Sequence, residues 1–73
     1  MINENNVAEI MAMLIGNDME IKEKYKNCPK NEETGMSILM DSLSYAAVIK
    51  INYPVEDRKE AARRFEEWEN NLS

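Results

Sequence analysis

Few residues of this 73-residue chain could carry out catalysis or hold a metal ion. The sequence contains no histidine, one cysteine and two isolated glycines. Zinc sites are built mainly from cysteine and histidine, phosphate-binding loops need several closely spaced glycines, and a histidine base is the usual activator of a Ser or Cys nucleophile. The sequence therefore predicts a protein that is not an enzyme, with no catalytic residue, no metal site and no cofactor.

The oxygen-rich segment Asn31-Glu32-Glu33-Thr34 is the nearest approach to a cation site. It lacks the regularly spaced acidic residues of a calcium-binding loop, so we interpret it as a solvated turn. Cys28 stands alone, which predicts no internal disulfide and is typical of a protein from a reducing compartment. Without a histidine to activate it, we interpret Cys28 as a small, half-buried side chain.

The charge balance disfavours an anionic partner. Fourteen acidic residues against nine basic residues give a net charge of −5, whereas nucleic-acid-binding proteins carry a basic surface. A helix-turn-helix regulator that binds DNA is a less favoured interpretation, because the basic residues of the last helix alternate with acidic ones. The four basic residues in question are Arg58, Lys59, Arg63 and Arg64.

The order of charges also argues against export and membrane insertion. No basic segment precedes an apolar stretch at the start of the chain, as a secretory signal would require. The charge-free stretches are far shorter than the ~20 residues of a membrane-spanning helix. The sequence predicts no membrane association and a cytoplasmic location, which is the host cytoplasm if a phage encodes the protein.

The spacing of apolar residues predicts an all-α fold, a small bundle of three to four helices forming one domain over residues 1–73. Val7, Ile10, Met11 and Leu14 form one helical stripe, and Gly16-Asn17 resembles a helix stop. We favour a break there, although one kinked helix over residues 6–27 is the alternative. The expected helices cover residues 6–15, 18–27, 36–52 and 54–71.

The third of these helices is the most apolar, with eleven apolar residues among the seventeen from Met36 to Asn52. A helix that is apolar on two faces is usually central and packed against more than one neighbour. We therefore expect residues 36–52 to form the central helix. The core is expected to unite Leu43 and Ala46 with Phe65 and Trp68.

Apolar residues that remain after the core is assigned predict a protein partner. A helix with apolar residues on three sides has too few neighbours in so short a chain, which predicts a homodimer or higher oligomer packed near Val48. Methionine and tryptophan are frequent on surfaces that accept partners. The candidate interface residues are Met13, Met19, Val48, Ile51 and Trp68.

These observations favour a small acidic non-enzymatic helical interaction protein. In size and charge it is similar to phage and mobile-element products that block host machinery, including antagonists of host defence. That similarity implies an inhibitor or regulator that binds a host protein. It is an analogy of size and charge alone.

The alternative is an oligomeric protein that sequesters a small ligand. A helix, a Cys-Pro loop and an Ala-rich helix over residues 21–51 resemble helical phage proteins that sequester cyclic nucleotide signals. The resemblance covers less than half of the chain, and the last helix has no counterpart in it. It implies a site of basic and tyrosine side chains, for which the candidates are Lys22, Tyr25, Lys26, Lys50, Tyr53 and Arg58.

Overall fold

The computed structural model describes residues 1–72, which form three α-helices joined by short turns. Helix α1 covers Glu4–Tyr25, α2 covers Glu32–Asn52 and α3 covers Val55–Leu72. The prediction of a small all-α bundle is confirmed. Helix α1 lies against both other helices, whereas α2 and α3 have little contact with each other.

Helix α1 is continuous, and the predicted break at Gly16-Asn17 is absent. Gly16 keeps a negative φ angle like its neighbours. Asp18, which we expected to interrupt the apolar stripe, forms an ion pair with Lys22 one turn later, with 2.8 Å between Oδ2 and Nζ. One glycine in a helix costs only about 1 kcal/mol relative to alanine. The packing of the helix segments before and after Gly16 outweighs this cost and keeps the helix intact.

Both longer helices begin earlier than the sequence suggested, because an upstream asparagine caps each of them. The Asn3 side chain accepts hydrogen bonds from the backbone N–H groups of Asn5 at 3.0 Å and Asn6 at 3.3 Å. The Asn31 side chain accepts one from Thr34 at 2.9 Å. An asparagine in this position satisfies backbone donors that the helix leaves free. Helix α2 therefore starts at Glu32 rather than Met36, and Gly35 lies within it.

The end of α2 agrees with the prediction. Tyr53 has an extended backbone, and its N–H still donates to the Ile49 carbonyl at 3.1 Å. Pro54 follows, and its carbonyl accepts from the Arg58 N–H at 3.1 Å to open α3. Proline favours the residue before it to be extended, which explains why the chain turns sharply between α2 and α3.

The core is smaller than expected and is centred on α1. Its buried members are Val7, Ile10, Ile49 and Ala61, with Met11, Met13, Leu14 and Tyr53 packed around them. Helix α2 contributes Ile49 as its one buried residue, so α1 rather than α2 occupies the central place.

The predicted core of Leu43, Ala46, Phe65 and Trp68 does not form. Leu43 and Ala46 are exposed on α2, whereas Phe65 and Trp68 are half-buried on α3 and stack with ring centroids 5.5 Å apart. The physical reason is that α3 packs along α1 and not along this side of α2.

Polar contacts hold α1 against α3. Asp57, which is fully buried, accepts hydrogen bonds from the Asn3 N–H at 3.0 Å and from the Asn6 side-chain amide at 2.8 Å. Arg64 donates to both carboxylate oxygens of Glu4 and also to Glu60. These polar contacts thus fix the start of α1 to residues 57–64 of α3, in addition to the apolar packing between the two helices.

The molecule is flat and extended. Its principal dimensions are 43 × 28 × 15 Å and its radius of gyration is 13.4 Å, against about 11 Å for a compact domain of this length. A layer 15 Å thick is little more than one helix deep, since a helix with side chains is about 10–12 Å across. The outward side of α2 is left without a neighbour.

Candidate functional site

The side of α2 that faces away from α1 is apolar and exposed. Successive residues turn by about 100° around a helix, which places this set within about one third of the circumference. We call it the α2 face, and its members are Met36, Leu39, Met40, Leu43, Ala46 and Ala47. Each of its four large side chains exposes half or more of its surface: Met36 58%, Leu39 50%, Met40 60% and Leu43 52%.

Single exposed apolar residues are ordinary on protein surfaces. A contiguous patch of them marks an interaction site or a liability to aggregate. The α2 face is such a patch, and Ile51, which is 81% exposed, extends it at the C-terminal end of the helix.

The opposite side of α2 is occupied by contacts with α1. The Tyr45 hydroxyl donates to the Glu20 carboxylate at 2.7 Å, and the Tyr25 hydroxyl donates to Asp41 at 2.6 Å. Ile49 completes the contact in the core. One side of an apolar helix is therefore used for folding and the other is left free.

The α2 face carries no charge of its own. Between residues 34 and 49 the sequence has one ionisable acid or base other than tyrosine, Asp41, and it points toward α1. The Tyr25 hydroxyl and the Lys24 ammonium, 3.1 Å away, stabilise its carboxylate and lower its pKa. The same hydrogen bond raises the pKa of Tyr25.

A polar cavity of about 150 Å³ lies beside these contacts, between α1 and α2. It is lined by Glu20, Lys24, Asp41 and Tyr45, whose polar groups already bond to one another or to Tyr25. The Asn17 Oδ1 atom, also at this cavity, is buried and has no hydrogen-bond partner among the described residues. The cavity has the volume of a few water molecules, and most of the polar groups that line it are already hydrogen-bonded to other side chains. It therefore offers few free groups to a larger ligand.

The interface residues predicted from the sequence lie in separate places. Met13 is half-buried against the core, and it lines a shallow apolar cavity of about 190 Å³ together with Val48. Met19 is 63% exposed on α1, and Trp68 is half-buried on α3. Ile51 is the one that adjoins the α2 face.

The structure adds four residues of α2 to the candidate interface. Leu43 was expected in the core, and Met36, Leu39 and Met40 lie on the helix that was expected to be central, but all four are exposed. The available signal was the number of apolar residues on α2, which exceeds what one neighbouring helix can cover.

The candidate ligand-binding residues do not surround a common cavity within one chain. Tyr25 and Lys26 line a cavity of about 400 Å³ beside the turn between α1 and α2. Lys22 pairs with Asp18, and the Tyr53 hydroxyl donates to Glu9 at 2.8 Å. The remaining two are distant from this turn: Arg58 Nε donates to the Tyr53 carbonyl at 3.1 Å, and Lys50 is exposed on α2.

Metal binding and membrane insertion have no support among residues 1–72. No group of three or more His, Cys, Asp or Glu side chains in that range could hold a metal ion. None of the three described helices is long and apolar enough to cross a membrane.

Comparison of the chain with protein-family models, curated proteins and solved structures finds no match. The α2 face is thus the feature from which a function can be argued.

Proposed function

We propose that this protein is a non-enzymatic interaction module that binds an amphipathic helix of another protein chain through the α2 face. The observation that carries the proposal is the row of four large apolar side chains along α2, each exposed by half or more. Helix-in-groove and helix-on-helix recognition use apolar residues at this spacing. Covering the partner's helix would inhibit or regulate the partner, which is the role that the size and acidity of the chain suggest.

The surroundings of the α2 face support a specific contact over general stickiness. Acidic residues are frequent on α1 and α3 and give the protein its net charge of −5. Like charges on the remaining surface keep molecules apart and oppose contacts away from the uncharged face. An apolar patch bordered by charge is the usual composition of a protein interface.

The proposal is tested by comparing two variants that add the same charge at different places. Leu43→Glu places a carboxylate in the α2 face, and Val55→Glu places one at another exposed apolar residue, the first of α3. Capture of binding proteins from the cell of origin, quantified by mass spectrometry, should be lost with Leu43→Glu and kept with Val55→Glu. Equal capture by both variants, with both folded by circular dichroism, would contradict the proposal.

The small-ligand alternative is tested by a thermal-shift screen with nucleotides. A ligand present at a hundredfold excess over its dissociation constant stabilises a protein by about 2.7 kcal/mol. No stabilisation by any cyclic nucleotide would remove that alternative.

A further inference from the structure

The exposed area of this chain is larger than a monomer of its mass requires. The accessible surface is 5522 Å², whereas folded monomers of 8.5 kDa average about 4,700 Å². The excess, about 800–900 Å², equals the area that each partner buries in a protein interface of standard size. The excess exposed area therefore matches the area that one bound partner would cover.

We propose that this partner is a second copy of the chain, with the two α2 faces packed antiparallel about a twofold axis near residue 41. The inference rests on one part of the proposed function, that the α2 face binds a helix, and it names a second copy of the chain as the source of that helix. Charge and side-chain size along α2 both support it.

Charges at the two ends of α2 are complementary under this symmetry. Glu32 and Lys50 are 18 positions apart, which is five full turns and about 27 Å along the helix, so they lie on one line. Both are exposed, and neither forms an ion pair with another described residue. In an antiparallel pair each Lys50 lies beside Glu32 of the other copy, whereas a parallel pair sets like charges together.

The apolar residues have the same centre as the charges. Residues 32 and 50 average to 41, and the α2 face, from Met36 to Ala47, is centred at 41.5. Its large residues lie toward the start of the helix and its alanines toward the end. Antiparallel packing about this centre places Met36 opposite the alanines of the other copy, so that large side chains meet small ones, as close packing requires.

Electrostatic repulsion between two acidic copies is limited at this surface. Asp41 is directed to α1 by its bonds with Tyr25 and Lys24, which leaves the centre of the contact free of charge. The carboxylates of α1 and α3 lie outside the contact, because the α2 face consists of residues of α2 alone. Self-association thus buries apolar area without burying a charge at the centre of the contact.

The first experiment measures mass in solution across a range of concentrations by analytical ultracentrifugation. Wild type should be dimeric at high micromolar concentration, and Val55→Glu should match it. Leu43→Glu, which brings two carboxylates together near the axis, should raise the dissociation constant about a hundredfold or more. A wild-type protein that stays monomeric at high micromolar concentration would overturn the inference.

The second experiment uses charge exchange, which disturbs no buried contact because both side chains are exposed. Lys50→Glu and Glu32→Lys should each weaken the dimer several-fold. The double variant should recover wild-type affinity, since the two changes act on one pair. Additive weakening in the double variant would contradict the antiparallel contact.

The third experiment tests orientation by disulfide formation in a Cys28→Ser background. A mixture of Met36→Cys and Ala47→Cys proteins should form the mixed disulfide under mild oxidation. Met36→Cys alone should crosslink poorly, because the two copies of residue 36 are about 15 Å apart along the axis. Preferential crosslinking of Met36→Cys to itself would identify a parallel pair and refute this geometry.

These results separate the inference from the proposed function. If wild type is monomeric and Leu43→Glu still loses a captured protein that Val55→Glu retains, the α2 face binds a foreign helix and the homodimer is refuted. If wild type is dimeric and no foreign protein depends on the α2 face, the inference stands and the face serves self-assembly alone.

Discussion

Asp57→Ala removes a fully buried carboxylate that joins the start of α1 to the first turn of α3. Asp57 accepts hydrogen bonds from the Asn3 N–H and from the Asn6 side chain, at 3.0 and 2.8 Å. A hydrogen bond to a charged acceptor contributes about 1.5–3 kcal/mol, and donors left without a partner add a desolvation cost. Asn3 is exposed and Asn6 half-buried, so water can rehydrate both donors in part.

We therefore expect Asp57→Ala to lower the free energy of unfolding by about 2–3 kcal/mol. At about 0.05–0.15 kcal/mol per residue, a 73-residue chain has about 4–11 kcal/mol in total. The loss is thus about a fifth or more of the total free energy of unfolding. In a domain of this size it corresponds to a fall in melting temperature of about 10–20 °C.

Urea denaturation followed by circular dichroism measures the change, with variants compared at one protein concentration because self-association alters apparent stability. Asp57→Asn is the matched control. Its amide keeps an acceptor for the Asn3 N–H, and rotation of the Asn6 amide can restore the second bond, so it should lose about 1 kcal/mol. If Asp57→Ala unfolds at the same urea concentration as wild type, these bonds do not hold α1 to α3 and the reasoning is refuted.

Three further predictions concern local interactions. The two neighbouring arginines, Arg63 first and then Arg64, lower the pKa of Glu60 to about 2, so its stabilising contribution is complete above the ordinary value of 4.5 and is lost as the pH falls from there toward 2. Glu60→Gln should make the stability less dependent on pH in that range, and an unchanged acid-unfolding curve would contradict it. Tyr25→Phe removes the main cause of the low pKa of Asp41, and the carboxyl titration followed by NMR should move toward the ordinary value; no movement would mean that the hydrogen bond is absent in solution. Gly16→Ala should stabilise the protein by about 0.5–1 kcal/mol, because Gly16 is helical and nothing lies within 4 Å of the added methyl group. A lower urea midpoint would show that Gly16 is not in a regular helix.

Much of the architecture follows from the sequence alone, because it depends on neighbours within a few positions. The end of α2 at Tyr53-Pro54 and the helical spacing of α1 and α3 are local features, determined by backbone sterics and side-chain periodicity. The absence of histidine also limits the chemistry whatever the fold.

Contacts between distant residues decided the rest. Gly16 has the pattern of a helix stop, yet packing along α1 on both sides makes the helix continuous. Asp57 has the pattern of an ordinary first-turn acid, and only its bonds to Asn3 and Asn6 explain its complete burial. Neither outcome is visible in a window of a few residues.

The α2 face shows this division most clearly. The sequence determined that α2 is apolar around most of its circumference, but periodicity cannot tell which apolar side meets a neighbour. In the structure α3 packs along α1, and this arrangement leaves Leu43 exposed. The physical reason is that burying an apolar surface requires a second surface that covers it. The pattern of one helix specifies which of its sides are apolar, and only the tertiary structure decides which of those sides is covered.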